Sequence, residues 1–283
     1  MPTKRFTAPD AAAAKGNRRL AVITAYDAGQ AAIAETAGAD ILLVGDSLGM
    51  VVLGLPDTLS VTMEHMLHHV KAVSNGSKSA LVLADMPFMS YQADVAEAVR
   101  NAGRLVKEGR AQAVKLEGGR AVLPQVRAIA AAGIPVMGHL GLTPQHVASF
   151  GGFKAQAKTA DAALALMEDA RALSDAGCFG VVLECIPAEV AQAVTQAVDV
   201  PTIGIGSGPH CDGQVLVFHD LLGLYGQFRP RFVKRYAELG EEAVKALGRY
   251  AGEVRSGAFP GPEHGFGMAP KELEAFLAGL QSS

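Results

Sequence analysis

The sequence has few cysteines, no long apolar run and no strong excess of charge. Its three cysteines, Cys178, Cys185 and Cys211, include no Cys-x-x-Cys pair, so neither a disulfide framework nor a structural zinc site is expected. No apolar stretch reaches the roughly 18 residues of a membrane span, and no signal peptide is expected. A formal net charge of -3, with both signs interspersed, does not favour nucleic acid as a partner. We therefore expect a cytoplasmic protein that binds neither membranes nor nucleic acids.

Short β-rich apolar runs alternate with longer, alanine-rich amphipathic segments along the 283 residues. The runs predict seven strands, at 20–24, 41–45, 80–84, 113–116, 134–138, 180–183 and 200–205, and 214–217 can form an eighth. Continuous apolar runs are typical of strands that are buried on both faces, as in parallel sheets. The alternation of strands and helices therefore predicts an α/β fold with a parallel sheet.

Eight strands would close a (β/α)₈ TIM barrel, which typically takes about 250 residues. A doubly wound sheet is the alternative, because 206–213 is too short to hold a helix between the last two strands. The remainder, 229–280, is predicted to form C-terminal helices with a Gly/Pro-rich break at 259–262. We predict that residues 1–283 form a single (β/α)₈ barrel domain with a C-terminal helical extension.

Polar residues stand where the predicted strands end. They are Tyr26 and Asp27, Asp46 and Ser47, Asp85, Glu117, His139 and Glu184 after strands one to six, with Lys115 inside strand four. These positions lie at the catalytic mouth of a barrel, and at the binding edge of an open sheet as well. For any single Asp the alternative is a helix cap or a turn. Six such strand ends together favour an active site.

Several hard oxygen ligands without cysteine favour Mg²⁺, or Mn²⁺, over zinc. Asp46 and Asp85 are the predicted direct ligands, and Glu117 is expected to act directly or through water. Lys115 and Glu117 are two residues apart on one strand, so their side chains share a face. Lys115 could hold a substrate carboxylate or an enolate oxygen, and His139 could donate to the same oxygen. The pattern predicts metal-assisted enolate chemistry.

Glu184 is the predicted catalytic base. It lies between Val181-Val182-Leu183 and Cys185-Ile186-Pro187, and desolvation in this apolar setting would raise its pKa and suit it to proton abstraction. A paired structural acid is the alternative. Cys185 has no base evident beside it and is expected to pack rather than to act as a nucleophile.

The motifs as a set resemble those of the ketopantoate hydroxymethyltransferase family. They are TAYD at 24–27, LVGDSLGMV at 43–51, ADMPF at 84–88, VKLEGG at 114–119, PVMGHLGLTPQ at 135–145, LECIP at 183–187, GIGSGP at 204–209, DGQVLV at 212–217 and EH at 263–264. They follow one another in order over most of the chain. The segment 152–158 and Ser207 depart slightly from the family pattern, outside the expected ligands.

The resemblance implies a (β/α)₈ barrel that transfers a hydroxymethyl group from 5,10-methylenetetrahydrofolate to 3-methyl-2-oxobutanoate. The products would be 2-dehydropantoate and tetrahydrofolate, in pantothenate biosynthesis. It implies that Asp46, Asp85 and Glu117 bind Mg²⁺ and that Glu184 is the proton acceptor. Asp46, Ser47, Asp85, Lys115 and His139 would bind the oxo acid. A cytoplasmic homodecamer is also implied.

Two other functions remain open from the residues alone. One is a Mg²⁺-dependent lyase or mutase of a related barrel type, although its Lys-Lys-Cys-Gly type of motif is not found in the sequence. The other is a catalytically silent, oligomeric binding protein, for which strand ends without acids would be expected.

Overall fold

The structure, a computed structural model, describes residues 4–226 and 230–281. Eight parallel strands pair in chain order and close into a barrel, in which β8 returns to pair with β1. The strands are β1 (Leu20–Thr24), β2 (Ile41–Val44), β3 (Leu81–Asp85), β4 (Ala113–Glu117), β5 (Val136–Gly141), β6 (Cys178–Glu184), β7 (Thr202–Ile205) and β8 (Gly213–Leu216). The predicted TIM barrel is confirmed, and the doubly wound alternative is wrong.

Helices connect most of the strands. They are α1 (Ala8–Ala13), α2 (Ala28–Thr36), α3 (Leu48–Val51), α4 (Met63–Gly76), α5 (Val95–Lys107), α6 (Leu123–Ala131), α7 (Val147–Phe150), α8 (Ala160–Asp175), α9 (Ala188–Ala197), α10 (Phe218–Leu221), α11 (Leu239–Ser256) and α12 (Pro270–Gln281). Short 3₁₀ turns cover Arg120–Val122, Pro144–His146 and Pro262–His264. The described segment 206–212 crosses from β7 to β8 without a helix, and the barrel closes nonetheless.

An unpredicted N-terminal helix, α1, contributes to the apolar interior of the barrel. Thr7 caps it by accepting from the backbone N–H of Asp10, and the Asp10 carboxylate accepts from the backbone N–H of Thr7. Its buried residues Ala8 and Ala11 share one apolar cluster with Leu20, at the start of β1. The amino-terminal end of the barrel is thereby filled with apolar side chains.

Side chains alternate along each strand, and this alternation divides the barrel interior into two parts. Leu81 and Leu83 belong to the interior apolar cluster, so Asp85, two residues further along β3, points to the same side at the carboxyl end. In β6 a register shift of one residue against β5 precedes Val182, which also lies inside. Glu184, two residues after Val182, therefore faces the interior at the top of β6.

The strand ends differ slightly from the prediction. Asp85, Glu117 and Glu184 are the last residues of β3, β4 and β6. His139, predicted to follow the fifth strand, lies within β5 instead. That strand continues to Gly141 because Leu140 and Gly141 still pair with the long strand β6.

The chain forms two compact units, Met1–Tyr236 and Ala237–Ser283. The second unit consists of α11, α12 and the turn between them, and none of its described residues is buried. Helix α12 carries Leu273, Phe276, Leu277 and Leu280 at helical spacing, each more than two-fifths exposed. Among the described helices none has the length and apolar character that crossing a membrane requires.

Candidate active site

A cavity of about 1080 Å³ lies at the carboxyl ends of the strands in the first unit. Its lining includes all seven predicted site residues: Asp46, Ser47, Asp85, Lys115, Glu117, His139 and Glu184. They come from positions 138 residues apart in the chain and meet because parallel strands end on one side of the barrel. Most of their side chains are buried, so their charges interact with little screening from water.

Asp46 and Asp85 are adjacent at the ends of β2 and β3. The backbone N–H of Asp46 donates to Oδ2 of Asp85 at 3.1 Å, and the Asp46 carboxylate accepts from Nε2 of Gln145 at 2.9 Å. Burial raises the pKa of Asp46 well above its usual value, and the negative charges of Asp85 and Glu117 raise it further. Burial also raises the pKa of Asp85, against the opposing charge of Lys115. Both carboxylates are therefore costly to ionise without another cation.

Helix capping accounts for other acids in the chain but not for this pair. Asp27 caps α2 by accepting from the backbone N–H of Gln30 at 2.8 Å, and Asp94 caps α5 in the same way. Asp27 is therefore a cap, although it follows a strand as Asp46 does. The hydroxyl of Ser47 makes no cap at the start of α3 and contacts the Tyr26 hydroxyl at 2.8 Å instead.

Lys115 is the buried cation of the site. Its Nζ lies 2.9 Å from Oδ1 of Asp85 and 3.2 Å from Nδ1 of His139. Burial alone would lower the pKa of Lys115, but the charges of Asp85, Glu117 and Asp46 outweigh it and raise the pKa. The ammonium group therefore stays charged, and its position beside Asp85 suits it to bind an anionic substrate group.

His139 connects two glutamates. Its Nδ1 lies 3.3 Å from Oε1 of Glu117, and its Nε2 lies 3.2 Å from Oε2 of Glu184. Burial and Lys115 lower the pKa of His139, but the two glutamates outweigh them and raise the pKa to about 9. Burial opposes the ionisation of Glu117, yet His139 and Lys115 lower its pKa overall. The two carboxylates thus lie beside the two ring nitrogens of His139, and their charges favour the protonated form of the ring.

The backbone around Glu184 is fixed by close packing. Gly141 lies beside it with φ of +93°, and a Cβ at that position would overlap the carbonyl oxygen of Glu184. The next residue, Cys185, has φ of +50° and is held by hydrogen bonds with Ile205 and Gln156. Burial, followed by the charge of Glu184, raises the pKa of the Cys185 thiol to about 12, which disfavours a thiolate nucleophile.

Residues 5–262 match the family model of ketopantoate hydroxymethyltransferase. The chain belongs to the ketopantoate hydroxymethyltransferase family. It is 63% identical over 278 residues to the 3-methyl-2-oxobutanoate hydroxymethyltransferase of Syntrophobacter fumaroxidans, covering 98% of both chains. The protein of the same name from Nitratidesulfovibrio vulgaris strain DP4 is 60% identical over 275 residues, with 97% of this chain and 90% of that protein covered. The predicted family and the prediction of a hydroxymethyltransferase are confirmed.

Solved structures with the same barrel are more distant. A 2,3-dimethylmalate lyase of the PEP mutase/isocitrate lyase superfamily matches with a TM-score of 0.57 and 19% identity, over 98% of this chain and 99% of that one. A phosphonopyruvate hydrolase in complex with oxalate and Mg²⁺ matches with a TM-score of 0.60 and 14% identity, over 98% and 96%. At these identities the likeness concerns the fold alone.

The donor set of this family member fits a divalent cation. Among the predicted strand-end residues, Asp46, Asp85, Glu117 and Glu184 carry carboxyl groups and Lys115 and His139 are cationic, so negative charge is in excess within this set. The rest of the cavity lining adds further charges: Arg19, Lys154, Lys158, Asp220 and Arg231. Within residues 4–226 and 230–281, no three His, Cys, Asp or Glu side chains already form a metal ligand group. Mg²⁺ usually takes one or two carboxylates and completes its shell with water or substrate oxygens. Asp46 and Asp85 suit that smaller set.

Two residues of the site were not singled out from the sequence. Gln145, in the 3₁₀ turn after β5, contacts Asp46 and Glu117. The Tyr91 hydroxyl contacts Gln145 at 2.8 Å and the backbone of Glu117 at 3.1 Å. Gln145 lies in a turn beyond the end of β5, whereas Asp85, Glu117 and Glu184 are the last residues of their strands, so the strand-end pattern did not include it. Tyr91 lies in a loop with no comparable pattern.

Proposed function

We propose that the chain transfers a hydroxymethyl group from 5,10-methylenetetrahydrofolate to 3-methyl-2-oxobutanoate through a Mg²⁺-stabilised enolate. The products are 2-dehydropantoate and tetrahydrofolate, in the pathway to pantothenate. The observation that carries the proposal is that, in this family member, Glu184 lines the same cavity as Asp46, Asp85 and Lys115. A base facing a cluster that can hold a 2-oxo acid is the arrangement that enolate chemistry needs.

Asp46 and Asp85 are the proposed metal ligands, with Glu117 completing the site directly or through water. When bound, Mg²⁺ supplies positive charge that stabilises an enolate oxygen and so acidifies the neighbouring C–H. The raised pKa values of Asp46 and Asp85 support this assignment, because a divalent cation offsets the repulsion between the two carboxylates. Glu117 accepts hydrogen bonds while it stays ionised, which suits an outer position.

The oxo acid is proposed to bind between Ser47 and Lys115, against Asp46 and Asp85. The Lys115 ammonium offsets the charge of the substrate carboxylate, and the Ser47 hydroxyl donates a hydrogen bond to it. His139 lies between Glu117 and Glu184 and keeps the Glu184 carboxylate oriented into the cavity. These contacts support a pocket sized for one small acid at the floor, with the rest of the cavity left for the second substrate.

Glu184 is the proposed base. Its carboxylate takes the single proton from C3 of 3-methyl-2-oxobutanoate, and C3 of the resulting enolate forms the new C–C bond to the one-carbon unit. Both C–N bonds that hold the one-carbon unit on the folate break, one being replaced by the new C–C bond and the other by a C–O bond, and the two folate nitrogens take up the C3 proton and one proton of water. The overall reaction consumes one water, whose oxygen becomes the new hydroxyl group. At 16% side-chain exposure, Glu184 is the most accessible of the ion-paired acids in the cavity, which supports its role as the group that meets the substrate.

Exchange of the C3 proton tests the enolate directly. The wild-type protein, 3-methyl-2-oxobutanoate and Mg²⁺ are incubated in D₂O without folate, and loss of the C3 proton signal is followed by NMR. We expect exchange with Mg²⁺ and much slower exchange with EDTA. Absence of exchange in the wild type would rule out the enolate route, and formation of 2-dehydropantoate on adding methylenetetrahydrofolate tests the donor separately.

We further propose a single barrel domain with a C-terminal helical extension, assembled into a cytoplasmic homo-oligomer, a decamer by family resemblance. The exposed apolar row on α12, together with the absence of buried residues in the described part of Ala237–Ser283, supports assembly with other copies. Its partners are otherwise small-molecule substrates, with no nucleic acid and no membrane. Sedimentation of the purified chain tests this, and a monomer at micromolar concentration would contradict it.

A further inference from the structure

Gln145 donates hydrogen bonds to two acids of the proposed metal site, one from its side chain and one from its backbone. Its side chain is buried, with 3% of its surface exposed, and its Nε2 donates to Oδ2 of Asp46 and to the carbonyl oxygen of Met86, both at 2.9 Å. Its backbone N–H donates to Oε2 of Glu117 at 3.0 Å. One residue therefore contacts two acids from different strands, Glu117 at the end of β4 and Asp46 just after β2.

The orientation of the Gln145 amide is fixed from its other side. Its Oε1 accepts from the Tyr91 hydroxyl at 2.8 Å and from Nε2 of Gln92 at 3.0 Å. A rotated amide would place its NH₂ group against these donors and its oxygen against Asp46 and Met86, so one orientation satisfies all four contacts. The Tyr91 hydroxyl in turn accepts from the backbone N–H of Glu117 at 3.1 Å.

That the Gln145 side chain is neutral matters as much as its geometry. Asp85 has the Lys115 ammonium at 2.9 Å, whereas the Asp46 carboxylate accepts from the neutral amide of Gln145. A neutral donor orients a carboxylate without competing for its charge, which a lysine or arginine at the same place would do. Outer hydrogen bonds of this kind orient metal ligands, and their loss typically weakens metal binding about 10- to 100-fold.

We propose that Gln145, held by Tyr91, is the positioning residue that presets Asp46 and Glu117 for the divalent cation. The inference rests on the proposed metal site. It predicts that Gln145→Met, which keeps the length of the side chain and removes the amide, weakens metal binding in the absence of any substrate. Catalytic activity is therefore not needed as the readout.

Mn²⁺, which the same oxygen ligands bind, serves as the probe. Free Mn²⁺ is measured by electron paramagnetic resonance while it is titrated into wild type, Gln145→Met, Asp46→Asn and Gln125→Met. Gln125 is the matched control, because it is also buried, lies on α6 outside the cavity, and has a side-chain oxygen without a partner among the described residues. We expect the Mn²⁺ Kd to rise about 10- to 100-fold in Gln145→Met and to stay unchanged in Gln125→Met.

The outcomes separate the two proposals. Unchanged Mn²⁺ affinity in Asp46→Asn would overturn the metal site itself. Weakened binding in Asp46→Asn with unchanged binding in Gln145→Met would overturn the positioning role alone. If Gln145→Met does not fold, Tyr91→Phe replaces it, with an expected rise in Kd of about five-fold for the loss of one orienting hydrogen bond. Wild-type Mn²⁺ affinity in Tyr91→Phe would then contradict the proposal.

Discussion

Carboxyl groups at the two ends of the barrel meet opposite surroundings. At the amino-terminal end, Glu35 accepts from the Ser77 hydroxyl and from the backbone N–H groups of Lys78, Ser79 and Ala80, which lead into β3. Burial opposes ionisation there, but these hydrogen bonds lower the pKa of Glu35 to about 2. At the carboxyl-terminal end, Asp46 and Asp85 lie against each other, and their pKa values are raised.

A second acid at the amino-terminal end, Asp212, also has hydrogen-bond donors around it. Near the starts of β7 and β8, Lys15 pairs with Asp212 at 2.9 Å, and the Asp212 carboxylate also accepts from Thr202. Each acid there has donors that favour its charge. Among the strand-end residues of the cavity, four carboxyl groups face the two cationic groups Lys115 and His139, and a bound cation would offset the difference. The comparison indicates that the chain uses one end of the barrel for stability and gives up stability at the other for chemistry.

Asp46→Asn is expected to have the largest effect. Proton exchange at C3 should fall by about 1000-fold or more, because the Mg²⁺ proposed to stabilise the enolate would lose one of its proposed ligands. In the absence of metal the free energy of unfolding should rise by about 1 kcal/mol, since a buried like-charge contact is removed. Exchange by NMR and unfolding in urea measure the two effects. An exchange rate equal to that of the wild type would contradict the role of Asp46 as a metal ligand.

Glu35→Gln should have the next largest effect, on stability alone. The free energy of unfolding should fall by about 1 to 2 kcal/mol at pH 7, after allowance for solvent screening of this partly exposed group. Because the folded pKa is lowered from 4.5 to about 2, this contribution is present above pH 4.5 and is lost as the pH falls through 2. Urea unfolding of both proteins at pH 7 and pH 3.5 measures it, and a difference that grew at the lower pH would contradict the assignment.

Tyr26→Phe is expected to have the smallest effect. Its hydroxyl contacts the hydroxyl of Ser47 at 2.8 Å. Without this contact, the Ser47 hydroxyl that is proposed to bind the oxo acid should be less well oriented. The KM for 3-methyl-2-oxobutanoate should rise about five-fold, the equivalent of one hydrogen bond, with kcat little changed. Steady-state kinetics measure this, with the exposed Tyr250→Phe as a control. Equal effects of the two substitutions on KM would count against a role for Tyr26.

Much of the fold follows from local patterns. Continuous apolar runs followed by helical segments were sufficient to predict the barrel, because strands such as β2, β3 and β4 are buried on both faces, whereas β1 and β8 each have one exposed residue. The predicted site followed from the same periodicity, since Lys115 and Glu117 lie two apart on β4 and point to one side. Strand-end positions then brought Asp46, Asp85 and Glu184 to the same cavity.

Local sequence patterns do not predict contacts between distant parts of the chain. Gln145 is 99 residues from Asp46, and nothing local predicts that its amide contacts that carboxylate. Two acids that follow strands, Asp27 and Asp46, look alike in the sequence, yet only the carboxylate of Asp27 caps the helix that follows it. The length of β5 likewise depended on its pairing with β6 rather than on its own residues.

The C3 exchange rate of Glu184→Gln relative to Glu35→Gln tests the division between the two ends most directly. Both substitutions remove one carboxylate and keep the size of the side chain. We predict that Glu184→Gln exchanges the C3 proton about 100- to 10,000-fold more slowly than wild type, and that Glu35→Gln exchanges it at the wild-type rate. Equal rates in the two variants would contradict the proposed base and the separation of catalysis from stability.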